Sequence, residues 1–184
     1  MNGRTTRLVT ASALACHLAL ALTGCGGGRQ YTTPPEACGV PVAEESLDPF
    51  LVDGEEVGAV GDSLADPTGT YPGNCELRVD GRLVFGAHLY AEEELVDPMS
   101  GGPWTRRFDA PQKMENLPFR GLGAVDGRRA MISAACGAPA VDHLVLDLYT
   151  SPRAGGDEAE RRRDVTALAL GLVPEMKKRL GCTE

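Results

Sequence analysis

Six cysteines, at positions 16, 25, 38, 75, 136 and 182, are the residues with the widest chemistry in this chain. A thiol can pair with another thiol, bind a soft metal as thiolate, or carry a covalent group on sulfur. Position decides among these. Cys16 lies inside the apolar stretch Leu8 to Leu22, and Cys25 follows that stretch closely. The remaining four are Cys38, Cys75, Cys136 and Cys182, an even number as two disulfides require. A zinc site would want close pairs such as Cys-x-x-Cys, whereas the nearest two of the four are 37 positions apart, so no metal is expected.

The N-terminus has the three zones of an export signal. Arg4 and Arg7 come first with no acid nearby, then fifteen mostly apolar residues relieved by Thr10, Ser12 and His17, then Leu22-Thr23-Gly24-Cys25. Fifteen residues fall short of the roughly 20 that cross a bilayer as a helix. Leu-Thr-Gly-Cys resembles the lipobox of bacterial prolipoproteins, in which a branched apolar residue and two small ones precede an obligatory cysteine. The resemblance implies diacylglycerol on the Cys25 sulfur, cleavage after Gly24 by lipoprotein-processing enzymes, and loss of residues 1–24 as signal peptide. Two acyl chains anchor stably, at about 0.8 kcal/mol per buried methylene, where one is marginal. Residues 25–37 then form the lipidated cysteine and a flexible tether. Gly26 to Ala37 is twelve residues, a reach of roughly 40 Å when extended.

Gly61-Asp62-Ser63-Leu64 resembles the nucleophile block of the GDSL esterases and lipases, which place serine after a buried strand and complete the triad from a late Asp-x-x-His. Here the preceding segment, Glu55 to Val60, is half polar. The residues three before His88 and His143 are Phe85 and Ala140, and no Gly-x-Asn-Asp block is present. Serine without an activating base is a poor nucleophile, so no catalytic residue is assigned, and an extracytoplasmic GDSL-like serine esterase using Ser63 stands as the alternative. His88 and His143 fall on strand faces shared with Tyr90 and Asp147 that read as solvent-facing, and two isolated histidines make no metal site. Glu55-Glu56 and Glu92-Glu93-Glu94 lack calcium-loop spacing, and Arg161-Arg162-Arg163 points three ways around a helix.

Removing residues 1–24 from the 184 leaves 160, of which 38–184 have the size of a single domain. Sixteen basic residues then face 26 acidic ones, a net charge of −10. That balance argues against nucleic acid and against adhesion to an anionic membrane through basic residues, leaving lipid as the membrane contact.

The elements that position these residues follow from periodicity. Cys75, Leu77 and Val79 alternate with polar residues up to Asp80-Gly81, and alternation resumes from Leu83 to Tyr90, a hairpin pattern. Val-Asp-Gly-Arg recurs at 125–128, between Gly121 to Val125 and Arg128 to Cys136, as a weak internal repeat. His143 to Thr150 is a further strand. Residues 38–74 read as loops with at most one short element near Leu47 to Val52. Glu92 to Phe119 is a long polar connection, in which Trp104 beside Arg106 and Arg107 could contact a ligand but reads better as a core anchor. The last element is a helix capped by Asp157. Its apolar stripe is Val165, Leu168, Ala169, Leu172, Val173, Met176 and Leu180, with a kink expected at Pro174 and a stop at Gly181.

These elements make an α+β domain: an antiparallel sheet of four or five strands with one C-terminal helix packed on a face, and two disulfides. If the strands ending at Cys136 and beginning at His143 are antiparallel neighbours, a helix of roughly 36 Å returns past a strand of about 26 Å to the edge holding Cys136. Cys136 is therefore expected to pair with Cys182, and by exclusion Cys38 with Cys75. The mature chain also resembles the four-cysteine lipoproteins of actinobacteria, in the order of Ala37-Cys38-Gly39, Asn74-Cys75-Glu76, Gly121-Leu122-Gly123, Ala134-Ala135-Cys136 and Leu180-Gly181-Cys182. That resemblance implies no established activity. The expected function is a non-enzymatic, membrane-anchored binding or envelope-assembly lipoprotein on the extracytoplasmic face, without cofactor.

Overall fold

Long apolar strands, buried along most of their length, build the centre of the sheet. The computed structural model describes residues 28–66, 71–152 and 156–184, so the segment read as an export signal and Cys25 lie outside the described residues. In chain order these form β1 Glu36–Ala37, β2 Val40–Pro41, α1 Glu44–Leu47, β3 Val57–Gly61, β4 Gly73–Val79, β5 Arg82–Glu92, α2 Gly102–Thr105, β6 Gln112–Lys113, β7 Gly121–Val125, β8 Arg129–Ala138, β9 Val141–Thr150 and α3 Glu158–Arg179. β1 and β2 pair as a hairpin. The other seven strands make one antiparallel sheet in the order β3-β4-β5-β9-β8-β7-β6. The class is α+β, with one long C-terminal helix and two disulfides.

The sheet is wider than the four or five strands expected, because β3 and β6 are added at its two edges. β3 is exposed along almost its whole length, with Val60 60% exposed, so no buried face imposes alternation on Val-Gly-Ala-Val-Gly. β6 is two residues long. A short or glycine-containing edge offers little template for further pairing.

Asp80 and Gly81 both take positive φ, +46° and +74°, as a two-residue turn between β4 and β5 requires. The second Val-Asp-Gly-Arg does not repeat that geometry. Asp126 folds its carboxylate inward, where Oδ1 accepts from the amides of Arg128 and Arg129 at 2.7 and 2.8 Å, and Oδ2 from that of Asp109 at 2.8 Å. One tetrapeptide serves two turn geometries, so the sequence recurrence is not a structural repeat.

The core lies between the sheet and α3. Asp157 caps the helix by accepting from the Glu160 amide at 2.8 Å, and every residue of the expected apolar stripe is buried. The helix continues through Pro174 to a left-handed Gly181, φ +73°. Val40, Leu47 and Phe50, from the hairpin and the turns after it, close one side of the same core. β8 and β9 are paired neighbours, and Cys136 bonds Cys182 with Cα atoms 4.4 Å apart. Cys38 bonds Cys75 at 5.8 Å.

The segment read as a flexible tether is bound to the domain from Arg29 onward. The Arg29 guanidinium donates to the Leu51 carbonyl at 2.8 Å and pairs with Asp48, the Gln30 amide donates to Gly54, and the Tyr31 hydroxyl donates to Val52 at 2.5 Å. These donors satisfy carbonyls of the 48–54 loop, which recruits the chain as a partner.

Candidate functional site

The strand order dictates the long connection. β5 is third in the sheet and β6 seventh, so the chain leaving Glu92 must pass β9, β8 and β7 before it can pair. Four strand spacings are roughly 19 Å. The connection crosses the face opposite α3 and is held there at several points. The Val96 amide donates to Ser133 Oγ at 2.9 Å, Arg107 pairs with Asp147, and the Asp109 amide reaches Asp126. Trp104 meets the Tyr90 ring edge-on, with centroids 5.1 Å apart.

The face carrying His88, Tyr90, Asp147 and Tyr149 is therefore covered, where the sequence reads it as solvent-facing. Asp147 is only 1% exposed. Its Oδ2 accepts from Arg107 of the crossover, and its Oδ1 from Arg129 of β8 at 2.5 Å. A buried carboxylate retains its charge at acceptable cost only when paired and hydrogen-bonded, and each oxygen here has a guanidinium. The rings form a continuous row around this pair. Arg107 lies 4.3 Å from the Trp104 centroid, Arg129 lies 5.5 Å from that of Tyr149, and His88 stacks on Tyr149 at 5.7 Å. Burial, then the neighbouring Glu76, pushes the Tyr149 hydroxyl above its ordinary value, in keeping with its donation to Glu76 Oε1 at 3.2 Å.

Gly86 makes room for that ring. A Cβ there would stand 2.2 Å from Tyr149 Cζ, so Gly86→Ala must push the ring off the sheet and break both its stack with His88 and its bond to Glu76. A loss of about 1–3 kcal/mol in urea unfolding is expected. The loss should shrink sharply in a Tyr149→Ala background. Equal losses in the two backgrounds would show that the ring is not what the glycine accommodates.

Beside the ion pair opens a cavity of about 410 Å³. Arg106, Arg107, Phe108 and Asp109 of the crossover form one wall. Asp126, Arg128 and Arg129 form another, and Tyr149 and Thr150 close the end. A hollow of about 310 Å³ shares Asp109, Asp126 and Arg128 with it and continues toward Arg161. Arg107 and Arg129 are both engaged with Asp147, whereas Arg106 and Arg128 are exposed and make no ion pair among the described residues.

The candidates singled out from sequence are dispersed. Ser63 is exposed, with its hydroxyl accepting from the Ala65 amide at 3.2 Å and packed against Gly39 beside the Cys38–Cys75 bridge. Neither histidine bonds to it. His88 is in the aromatic row, and His143 Nδ1 lies 3.1 Å from the Glu93 carbonyl, which only accepts and so places a proton on that nitrogen. Trp104 is half-buried against Tyr90 and Arg107 and lies outside the core expected to hold it, while the adjacent Arg106 faces the cavity. Asp147, Arg128 and Arg129 were not singled out. The available signal was a carboxylate in mid-strand between Leu146 and Leu148, a charge that needs a partner wherever that strand is buried. Comparison with protein-family models, with curated proteins and with solved structures gives no match.

Proposed function

We propose that this chain is an extracytoplasmic lipoprotein, anchored through diacylglycerol on Cys25, whose domain binds a ligand in the cavity under the crossover and catalyses no reaction. The observation that carries the binding role is the cavity itself. It is a concave site of small-molecule size, with convergent polar groups mounted on strands and on a crossover fixed at several points. Two further features support the address. The four domain cysteines pair with one another, as suits an oxidising compartment, and they leave no domain thiol for Cys25. The Leu22-Thr23-Gly24-Cys25 sequence supplies the acylation signal.

Metabolic labelling with a palmitate analogue tests the anchor. Cys25→Ser is expected to abolish labelling, and equal labelling of variant and wild type would refute lipidation at this residue. A serine-directed fluorophosphonate tests the absence of catalysis: labelling that vanishes in Ser63→Ala would replace the binding reading with the esterase.

A further inference from the structure

We infer that the cavity takes an organic oxyanion, a small molecule presenting a phosphate or carboxylate to Arg106 and Arg128. This rests on the cavity being the ligand site, and it adds the chemical class.

Charge is the first reason. Four guanidiniums border the space, against Asp109 and Asp126 in its walls and Asp147 beneath, a local excess of one positive charge in a chain of net charge −8. A site whose sign opposes that of the whole molecule concentrates anions there. The acids are not equally available. Asp126 is 6% exposed and its two oxygens already accept three backbone amides, while Asp147 is held between two arginines. That leaves Asp109 as the exposed acid of the wall, and Arg106 and Arg128 as cations without an ion pair among the described residues.

Geometry is the second. Arg107 and Arg129 each give one terminal nitrogen, Nη1, to Asp147. Each keeps further N–H groups beyond the ion pair, Arg107 sharing one with the Tyr90 hydroxyl, and a guanidinium fork matches the paired oxygens of a carboxylate or phosphate. Size is the third. About 410 Å³ exceeds what an inorganic ion fills, and Phe108 and Tyr149 offer ring surface to the remainder of the ligand.

Calorimetric titration of the full lipidated chain in detergent, at constant ionic strength, tests this with four probes: inorganic phosphate, succinate, glucose and ethylammonium. Phosphate or succinate is expected to bind, and the stronger of the two identifies the headgroup. Arg106→Ala and Arg128→Ala should each weaken that binding about tenfold, the worth of a hydrogen bond to a charged group. Asp109→Asn should strengthen it. All three side chains are exposed, and unchanged urea midpoints will show that the variants remain folded. Anion binding indifferent to both arginine substitutions overturns the assignment. Binding of glucose or ethylammonium alone, weakened by substitutions in the cavity wall, overturns the oxyanion class and leaves the cavity as ligand site. Failure of all four probes counts against both.

Discussion

Reduction of the two disulfides is expected to unfold the domain, or to leave it so marginal that mild urea does. Cys38 and Cys75 are 37 residues apart and Cys136 and Cys182 are 46 apart. Closing loops of that length removes denatured-chain entropy worth about 4 kcal/mol for each bridge. Two such contributions rival the whole stability of a typical domain, about 5–15 kcal/mol. The bridges also act in different places. Cys38–Cys75 ties the β1–β2 hairpin to β4, while Cys136–Cys182 fixes the C-terminus of α3 to β8, where the Cys136 carbonyl also accepts the amides of Thr183 and Glu184. Urea unfolding of the protein, with and without dithiothreitol, measures the sum. The Cys136→Ala/Cys182→Ala variant should lose amide-exchange protection first at the end of α3. An unchanged midpoint after complete reduction, verified by thiol counting, would show that the core alone sustains the fold.

Asp147→Ala should be the most damaging single substitution on the crossover face, at about 3 kcal/mol. The carboxylate is almost fully buried, and its removal leaves Arg107 and Arg129 without their shared partner. The loss lies at the low end for a broken buried pair because Arg129 and Arg107 retain 24% and 37% side-chain exposure and can turn toward water. The loss should be accompanied by release of the crossover, since Arg107 is one of its attachments, and trypsin should then cut after Arg106 or Arg107. Arg107→Met separates the two effects, because it frees the crossover while Arg129 still faces Asp147. Wild-type stability together with wild-type trypsin resistance in Asp147→Ala would remove the ion pair from any account of how this face is held.

The same residue marks how far the sequence could be read. Leu144, Leu146 and Leu148 announce a strand with one apolar face, and the alternation correctly predicts that face against α3. Asp147 and Tyr149, on the other side, read as solvent-facing by the same rule. The rule holds for a sheet covered once. Here a second layer comes from a segment with no periodicity of its own, and it is polar. Ser133, Asp126 and Asp147 are buried by partners 37, 17 and 40 residues away. Ion pairs and hydrogen bonds across such separations leave no local pattern.

What the sequence determined by itself was whatever a short window encodes: β4, β5 and β9 through period-two alternation, β7 and β8 through the Val-Asp-Gly-Arg turn between them, the Asp80-Gly81 turn, and α3 through its stripe and its Asp157 cap. Cysteine parity predicted two bridges, and the lengths of helix and strand predicted their pairing. Tertiary structure alone decided that β5 lies beside β9, and so that the chain must cross the sheet to start β6 at the far edge. That crossing brings Arg106 and Arg107 to Arg128 and Arg129 and forms the open cavity between them. The reason is physical. Local windows fix which way a side chain points, but strand order follows from the total burial achieved by all strands at once, and no segment carries that information singly.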